Sequence, residues 1–597
     1  MMRMKHLTSA IALLWIFALT GCSLNQMVKM ADEQKLEVEP NPLELHGDSV
    51  TFTMTATLPV KMLKKDMEYI VKPFYVYNGK EIELENLTFK ASDFPNADEQ
   101  QPRVSETLSF FYEPDMKRGE LFVQGVARNP KNDKTKETER MKIAEGIITT
   151  SQLAQEGYYA AYAAHGYNNQ EELEPTLIGF FFQQGSSVLR NSEVRSERGS
   201  YMKNFIADKN VTRTVTITGT HSPEGEERIN SRLSEDRAEA IEKFYRQNMK
   251  RYDYKGMADS IEFILKPVVE DWEALKVALD EYEGVDQGAK QEMLTIINGG
   301  GTFEEKEDQL QKVNGYRKVF NDIYPLLRTA KAEILTVKEK KTDAEIATLA
   351  RQIADGSVSA DTLSDEELGY AATLTPNMQE REKIYMAATK KNDSYASHNN
   401  LGSVYLEMAS QSNNESQRND YLERAVTQFE LSNRKQENAE AYINLADAYV
   451  MQGNLERANE SINKAAGMQA SQETMAGMRG VQGYLQMRAG DYDAAIRTLS
   501  QASESAENLF NLGLSYLLKD DYQNALTRFN EAVAMDSEMA KAYYASAIAN
   551  ARLGREDAAY TALEKAVSMD AELKREALDD LEFTDYQDNE RFRNALR

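Results

Sequence analysis

Residues 219–240 read GTHSPEGEERINSRLSEDRAEA, which brings a hydroxyl (Ser222), a carboxylate (Glu224), a carboxamide (Asn230) and a guanidinium (Arg237) into one loop and the helix after it. Groups of these types hold a polar ligand through hydrogen bonds and charge-assisted pairs. They are not a nucleophile with its activating base. The rest of the chain offers no reaction chemistry either. His6, His46, His165, His221 and His398 lie in different segments, with no H-x-x-x-H spacing for a metal. His221, the only one beside the candidate site, reads as a solvent-exposed loop histidine. A single cysteine, Cys22, excludes an intrachain disulfide and a cysteine metal cluster. Gly299-Gly300-Gly301 is followed by no Lys-Ser/Thr pair and reads as a turn, and the pairs Glu226-Glu227 and Glu304-Glu305 read as solvated helix starts. The chain is therefore read as non-enzymatic, with no cofactor and no metal.

The elements that must position these groups belong to a long chain. At 597 residues several domains are expected, and the net charge of −26 argues against nucleic acid as a partner. Residues 1–21 have the three parts of a secretory signal: basic Arg3 and Lys5, an apolar run from Ile11 to Leu19, and small or polar residues before Cys22. The ending Leu19-Thr20-Gly21-Cys22 resembles the bacterial lipobox, which implies lipid attachment at Cys22; the alternative is an ordinary signal peptide that ends near a cysteine. Ser23 in place of an aspartate, and the lack of an acidic cluster after it, lean towards an outer-membrane lipoprotein facing the periplasm.

A linker, 22–34, is expected next, then a β-rich module over 35–150. SVTFTMTATL (49–58), YIVKPFYVY (69–77) and GELFVQGVA (119–127) alternate or are β-branched and aromatic, which predicts a β-sandwich. The cluster Arg128–Lys142 interleaves Lys with Glu and Asp and reads as a solvated hairpin tip. The opening phrase of the module resembles the N-terminal β-module of Bacteroidetes lipoproteins that carry OmpA-like domains. After a linker helix over 151–174, residues 175–340 alternate strand and helix. Strands are expected at 177–184 (buried, by its continuous apolar run), 213–219, 260–268 and 330–338, with a helix over 226–249 and a mainly helical insertion over 271–324.

Residues 341–392 read as a helical pair leading into a repeat array over 393–579, closed by a capping segment, 580–597. The marker alanines Ala458, Ala495, Ala525 and Ala559 recur at intervals of 37, 30 and 34 residues. First-helix signatures stand at HNNLGSVY (398–405), AYINLADAY (441–449) and LFNLGLSY (509–516), and the earliest unit carries a polar insertion at 411–417. This pattern resembles tetratricopeptide repeats, which implies an all-α superhelix whose concave groove holds a protein partner.

Gly219, Gly225, Asn230, Leu233, Ser234, Arg237 and Ala238 resemble the peptidoglycan-binding motif of OmpA-like domains. The resemblance implies an α+β fold in which Arg237 takes the carboxylate of diaminopimelate. The family's aspartate, which takes the ammonium, is replaced by Ser222. Either the hydroxyl serves in its place or Glu224 restores the charge. The structural alternative is that Asn230, Leu233 and Ala238 cap and pack the helix while Arg237 pairs with Asp236 or neighbouring glutamates. The whole is read as a lipid-anchored scaffold that ties the outer membrane to peptidoglycan and recruits a protein through its repeats, in parts similar to lipoproteins that tether type IX secretion machinery. The alternative is a secretion or envelope-assembly factor whose OmpA-like domain serves only protein contacts.

Overall fold

The computed structural model describes residues 23–252, 254, 260–268 and 271–597; the signal-like segment and Cys22 lie outside the described residues. The chain divides into two compact units, Met1–Gly166 with Asp343–Arg597, and Tyr167–Thr342.

The first unit opens with a helix over 23–30, where a linker is expected. Leu24, Met27 and Ala31 explain it, because they share one face and are buried in the core of the β-module. That module has two five-stranded sheets. One runs β1 (Lys35–Glu39), β3 (Ser49–Thr57), β2 (Leu43–His46), β10 (Ile147–Ile148), with β7 (Arg103–Phe111) also paired to β3. The other runs β5 (Lys80–Glu83), β4 (Glu68–Tyr77), β8 (Glu120–Asn129), β9 (Lys134–Glu145), with β6 (Leu87–Lys90) also paired to β4. Val50, Phe52 and Met54 point inwards from β3 and Tyr69, Val71 and Tyr75 from β4, so both sheets feed one core. The basic cluster is the β8–β9 hairpin, and its cations are matched locally: Arg128 by Glu68 and Asp133, Lys131 by Asp66, Arg140 by Glu81.

After the second unit the chain re-enters as helices. Three α-helices (Asp343–Ala354, Asp365–Ala371, Met378–Lys391) stand where a pair is expected. Five helix pairs follow: Tyr395–Ser410 with Glu415–Lys435, Ala439–Met451 with Leu455–Ala466, Gln472–Arg488 with Tyr492–Leu499, Ala506–Leu517 with Tyr522–Met535, and Ala540–Arg552 with Glu556–Met569. The marker alanines Ala458, Ala495, Ala525 and Ala559 are all buried in the second helices. The polar stretch 411–417 does not make a long loop; its second half starts the 21-residue second helix of the first pair, capped by Asn414. Helices Glu572–Asp579 and Glu590–Ala595 close the array, with Phe583 and Phe592 covering its last apolar face.

The β-module is fixed to this array. The Arg552 guanidinium donates to Glu582 at 2.8 Å and to Glu44 of β2 at 3.0 Å, Thr150 Oγ1 donates to Glu582 at 2.6 Å, and Lys117 pairs with Glu576. The Glu582 side chain is 2% exposed and takes its hydrogen bonds from these donors.

The second unit has a four-stranded sheet in the order β11 (Leu173–Phe181), β14 (Thr329–Val337), β12 (Thr212–Gly219), β13 (Glu262–Pro267); β12 and β13 are parallel and the other pairings antiparallel. The apolar run at 177–184 does not make a strand buried on both faces. β11 is an edge strand, shifted towards the N-terminus, with Ile178 and Phe180 buried and Leu177 72% exposed. The helix Glu227–Arg251 lies on the sheet through Ser234, Arg237, Ala238, Ile241, Phe244, Tyr245 and Met249, an apolar and polar stripe at helical spacing. The insertion consists of Trp272–Glu281, Gln287–Asn298, Phe303–Leu310, Tyr316–Asp322 and Tyr324–Leu327 around a core of its own. Its glycine triplet is the turn before Thr302, which caps the third of these helices reciprocally with Glu305.

Candidate functional site

Polar side chains gather around a cavity in one unit and along a groove in the other. In the second unit the SPEG loop leaves β12 at Gly219, where a Cβ would stand 1.9 Å from the Ser234 carbonyl oxygen of the long helix. Only glycine lets strand and helix approach this closely. Gly225, at φ +96°, turns the loop into the helix, and the Asn230 Nδ2 donates to the Glu224 carbonyl at 3.0 Å. Asn230 therefore latches the loop; it does not cap the helix.

Arg237 is 1% exposed. It pairs with neither Asp236 nor a neighbouring glutamate. Its Nε donates to the Ser186 carbonyl (3.0 Å), Nη1 to Thr220 (2.6 Å) and Nη2 to Gln183 (3.2 Å). Burial, and then the nearby charge of Arg328, lower its guanidinium to about 10. Arg328 is the residue that sequence reasoning missed. It donates to Ser222 Oγ at 2.8 Å and to Glu224 Oε1 at 2.8 and 3.1 Å, and its side chain is 8% exposed. Nothing local in the sequence marks it, since it lies 106 residues from Ser222 at the foot of β14. Ser222, Glu224, Asn230 and Arg237 thus meet in one place, around a cavity of about 580 Å³. Glu224 Oε2 is buried there with no hydrogen-bond partner.

The helical insertion makes one wall of that cavity, through Gln311, Tyr316, Arg317 and Phe320. His221, expected in solvent, is 2% exposed and packs edge-on against Phe303 of the insertion, which in turn contacts Trp272. Glu304 is likewise no free helix start, because its carboxylate accepts the Glu227 backbone N–H at 3.0 Å and so ties the insertion to the long helix. Behind the wall, buried Glu307 accepts hydrogen bonds from the Tyr316 and Tyr324 hydroxyls. Desolvation raises the Glu307 carboxyl above its usual range, the two hydroxyls opposing it and Glu224 adding to it. Arg237 and Arg317 line the cavity together with Glu224 and Glu226, and buried Arg328 stands behind Ser222 and Glu224, so groups of both charges face the same space.

In the first unit the repeats enclose a groove, and the groove is filled by the chain itself. Residues 154–166, expected within a linker helix over 151–174, carry no regular secondary structure. Segment 155–163 runs across the first helices of the pairs as an extended strap. Asn511 accepts the Gln155 N–H at 2.9 Å and donates to the Gln155 carbonyl at 2.7 Å; Asn444 does the same for Ala161 (2.7 and 2.8 Å) and Asn400 for Ala163 (2.7 and 3.0 Å). Asn399 and Ser403 add donors to the Ala161 carbonyl. The Tyr162 hydroxyl lies between Arg381 and Glu407, and Glu156 pairs with Arg418. A helix over 151–174 would turn its N–H and C=O groups onto each other; here the asparagines take them instead. The signal was present as a recurring Asn-Leu in the first helices, at 400–401, 444–445 and 511–512.

Residues 416–473, 481–526 and 510–573 match the family model described as Tetratricopeptide repeat. Among solved structures, YrrB, described as a TPR protein with an unusual peptide-binding site, is 20% identical, with 31% of this chain and 92% of that chain covered and a TM-score of 0.25. The APC/C hetero-tetramer Cut9–Hcn1 is 14% identical over 62% of this chain and 75% of that one, TM-score 0.32. The C-terminal part of a TPR repeat-containing protein from Cytophaga hutchinsonii is 18% identical over 37% and 88%, TM-score 0.26. No curated protein matches the chain. The C-terminal part is thus built of tetratricopeptide repeats, a scaffold for protein–protein interaction. No helix among the described residues is long and apolar enough to cross a membrane, and no described group of three or more His, Cys, Asp or Glu residues stands ready for a metal.

Proposed function

We propose that this protein is a non-enzymatic, lipid-anchored scaffold of the outer membrane, facing the periplasm, which holds peptidoglycan through residues 167–342 and a protein partner through its repeats. The observation that carries the wall-binding half is Glu224 Oε2, buried and unpartnered beside Arg237 in the cavity of about 580 Å³. A diaminopimelate end presents an ammonium and a carboxylate. The ammonium would complete Glu224, which supplies the negative charge that Ser222 lacks. The carboxylate would meet the N–H groups of Arg237 that the three carbonyls leave over, two of its five.

Glu224→Gln keeps the shape of the side chain and a hydrogen bond to Arg328 but removes the charge. We expect it to weaken sedimentation of the full chain with diaminopimelate-containing peptidoglycan by roughly 10–100-fold, the loss of one charge-assisted contact of ~1.5–3 kcal/mol. Free diaminopimelate should compete with the wild type. A wild-type chain that stays in the supernatant ends this reading.

A second reading has its own support. Arg237 is satisfied by three carbonyls, and Arg328 joins Ser222 to Glu224, so the polar groups of the site largely satisfy each other. On that reading the unit is a protein-interaction module of a secretion or assembly factor. It predicts that neither the wild type nor Glu224→Gln sediments with the wall.

A further inference from the structure

The strap satisfies the repeat groove well in one respect and poorly in another. Its backbone is held by asparagine side chains that take both the N–H and the C=O of Gln155, Ala161 and Ala163. Such clamps recognise an extended chain whatever its side chains. The side-chain demands are few. Ala161 and Ala163 are buried and leave room only for small residues. The Tyr159 ring lies against Gly477, where a Cβ would stand 2.2 Å from it.

The poor fit is at the floor. Asp447 is completely buried, its Oδ2 is reached by the Tyr159 N–H only at 3.4 Å, and its Oδ1 has no partner. Where the array elsewhere offers an asparagine whose carboxamide both donates to and accepts from the strap, it here offers a carboxyl group with one oxygen left unpartnered. Arg381 and Arg418, which contact Tyr162 and Glu156, each keep a buried Nε without an acceptor. Buried polar groups left in this way oppose the strap's hold.

We propose that residues 155–163 are an intramolecular ligand that closes the repeat groove, and that a partner protein enters by exchanging for it an extended segment of its own. The segment that fits has small residues at the places of Ala161 and Ala163, an aromatic at that of Tyr159, and a donor side chain, lysine, arginine or serine, within reach of Asp447. Exchange is gated by effective concentration, because a segment joined to the groove through a short connection competes at about millimolar level. This proposal rests on the reading of the repeats as protein-binding and is independent of wall binding.

The probe is a fluorescent peptide with the sequence of residues 154–166, titrated into the full chain and into Ala161→Pro/Ala163→Pro, which removes the two N–H donors that Asn444 and Asn400 accept. The peptide should bind the variant at least about tenfold more tightly than the wild type. Equal, tight binding to both would overturn the closure while leaving the repeats as peptide binders; binding to neither would overturn the exchange and make the strap a structural joint. A measurement on the wild type guards against a misfolded variant. Saturating peptide should speed hydrogen exchange at the Ala161 and Ala163 amides at least about tenfold, and unchanged protection counts against the proposal.

Discussion

Replacing Arg237 by alanine is expected to lower the stability of the unit 167–342 by about 3–5 kcal/mol, and its melting transition by roughly 10 °C. The side chain is not a surface cation waiting for a ligand. It is 1% exposed and is the common donor for the carbonyls of Gln183, Ser186 and Thr220, which belong to two separate loops. Truncation leaves three acceptors without their donor and opens a cavity the size of a guanidinium. Arg237→Lys should recover only part of the loss, since an ammonium on a thinner stem does not reach three carbonyls in a plane. Scanning calorimetry of the full chain should show one transition lowered and the transition of the repeats unmoved. A variant that melts within 2 °C of the wild type, within the range of an ordinary surface substitution, would mean that water replaces the arginine at these carbonyls. The result also bears on any wall-binding assay. Loss of binding in Arg237→Ala reports on the fold as much as on a ligand contact, which is why Glu224→Gln is the sharper probe.

Asp447→Asn should stabilise the first unit and flatten its pH dependence. Desolvation raises the Asp447 carboxyl to about 8, opposed by the Tyr159 N–H and reinforced by the charge of Glu156. Unfolded, the group titrates near the ordinary aspartate value of 3.8; folded, near 8. Between those values the folded chain carries a proton that the unfolded chain lacks, so stability is fully present below about pH 4 and is lost as pH rises towards about 8. At pH 7 the cost of keeping this group protonated is on the order of 2–4 kcal/mol. Asparagine avoids that cost, and it offers the strap a donor as well as an acceptor, as Asn444 and Asn400 already do. Asp580, buried and raised to about 6 by desolvation and Glu582, adds a slope of the same sign below pH 6, but it is common to both proteins and cancels in the difference. The difference in unfolding midpoint between variant and wild type should grow from pH 4 to pH 8. A constant difference would show that the carboxylate stays ionised in the groove.

Much of the fold was legible because its signals are local. The alternation of SVTFTMTATL puts Val50, Phe52 and Met54 on one face of a strand whatever the strand packs against, and the alanine spacing of the repeats is fixed by the contact of two helices within a unit. The motif over 219–240 likewise identified residues that the structure brings together: Ser222, Glu224, Asn230 and Arg237 all meet at one cavity.

What the sequence left open was decided by contacts over long separations. Arg328 reaches Ser222 and Glu224 only because β14 lies beside β12, so the electrostatics of the site depend on sheet order and not on the motif. His221 and Glu304 were read as solvated, and it is the folding of the insertion over the loop that buries one and gives the other a partner. The helix over 23–30 forms because the β-module supplies an apolar surface for Leu24 and Met27, which no local pattern in a linker reveals. The strap is the strongest case. Its sequence, AQEGYYAAYAAHG, has good helix formers, yet it lies extended because Asn400, Asn444 and Asn511, more than 200 residues away, bond its backbone better than it can bond itself. The sequence by itself determined the repeats and the sheet-rich region that precedes them; the tertiary structure decided that the chain's own strap lies in the groove of the repeats, since only the folded array brings its asparagines into line along one extended chain.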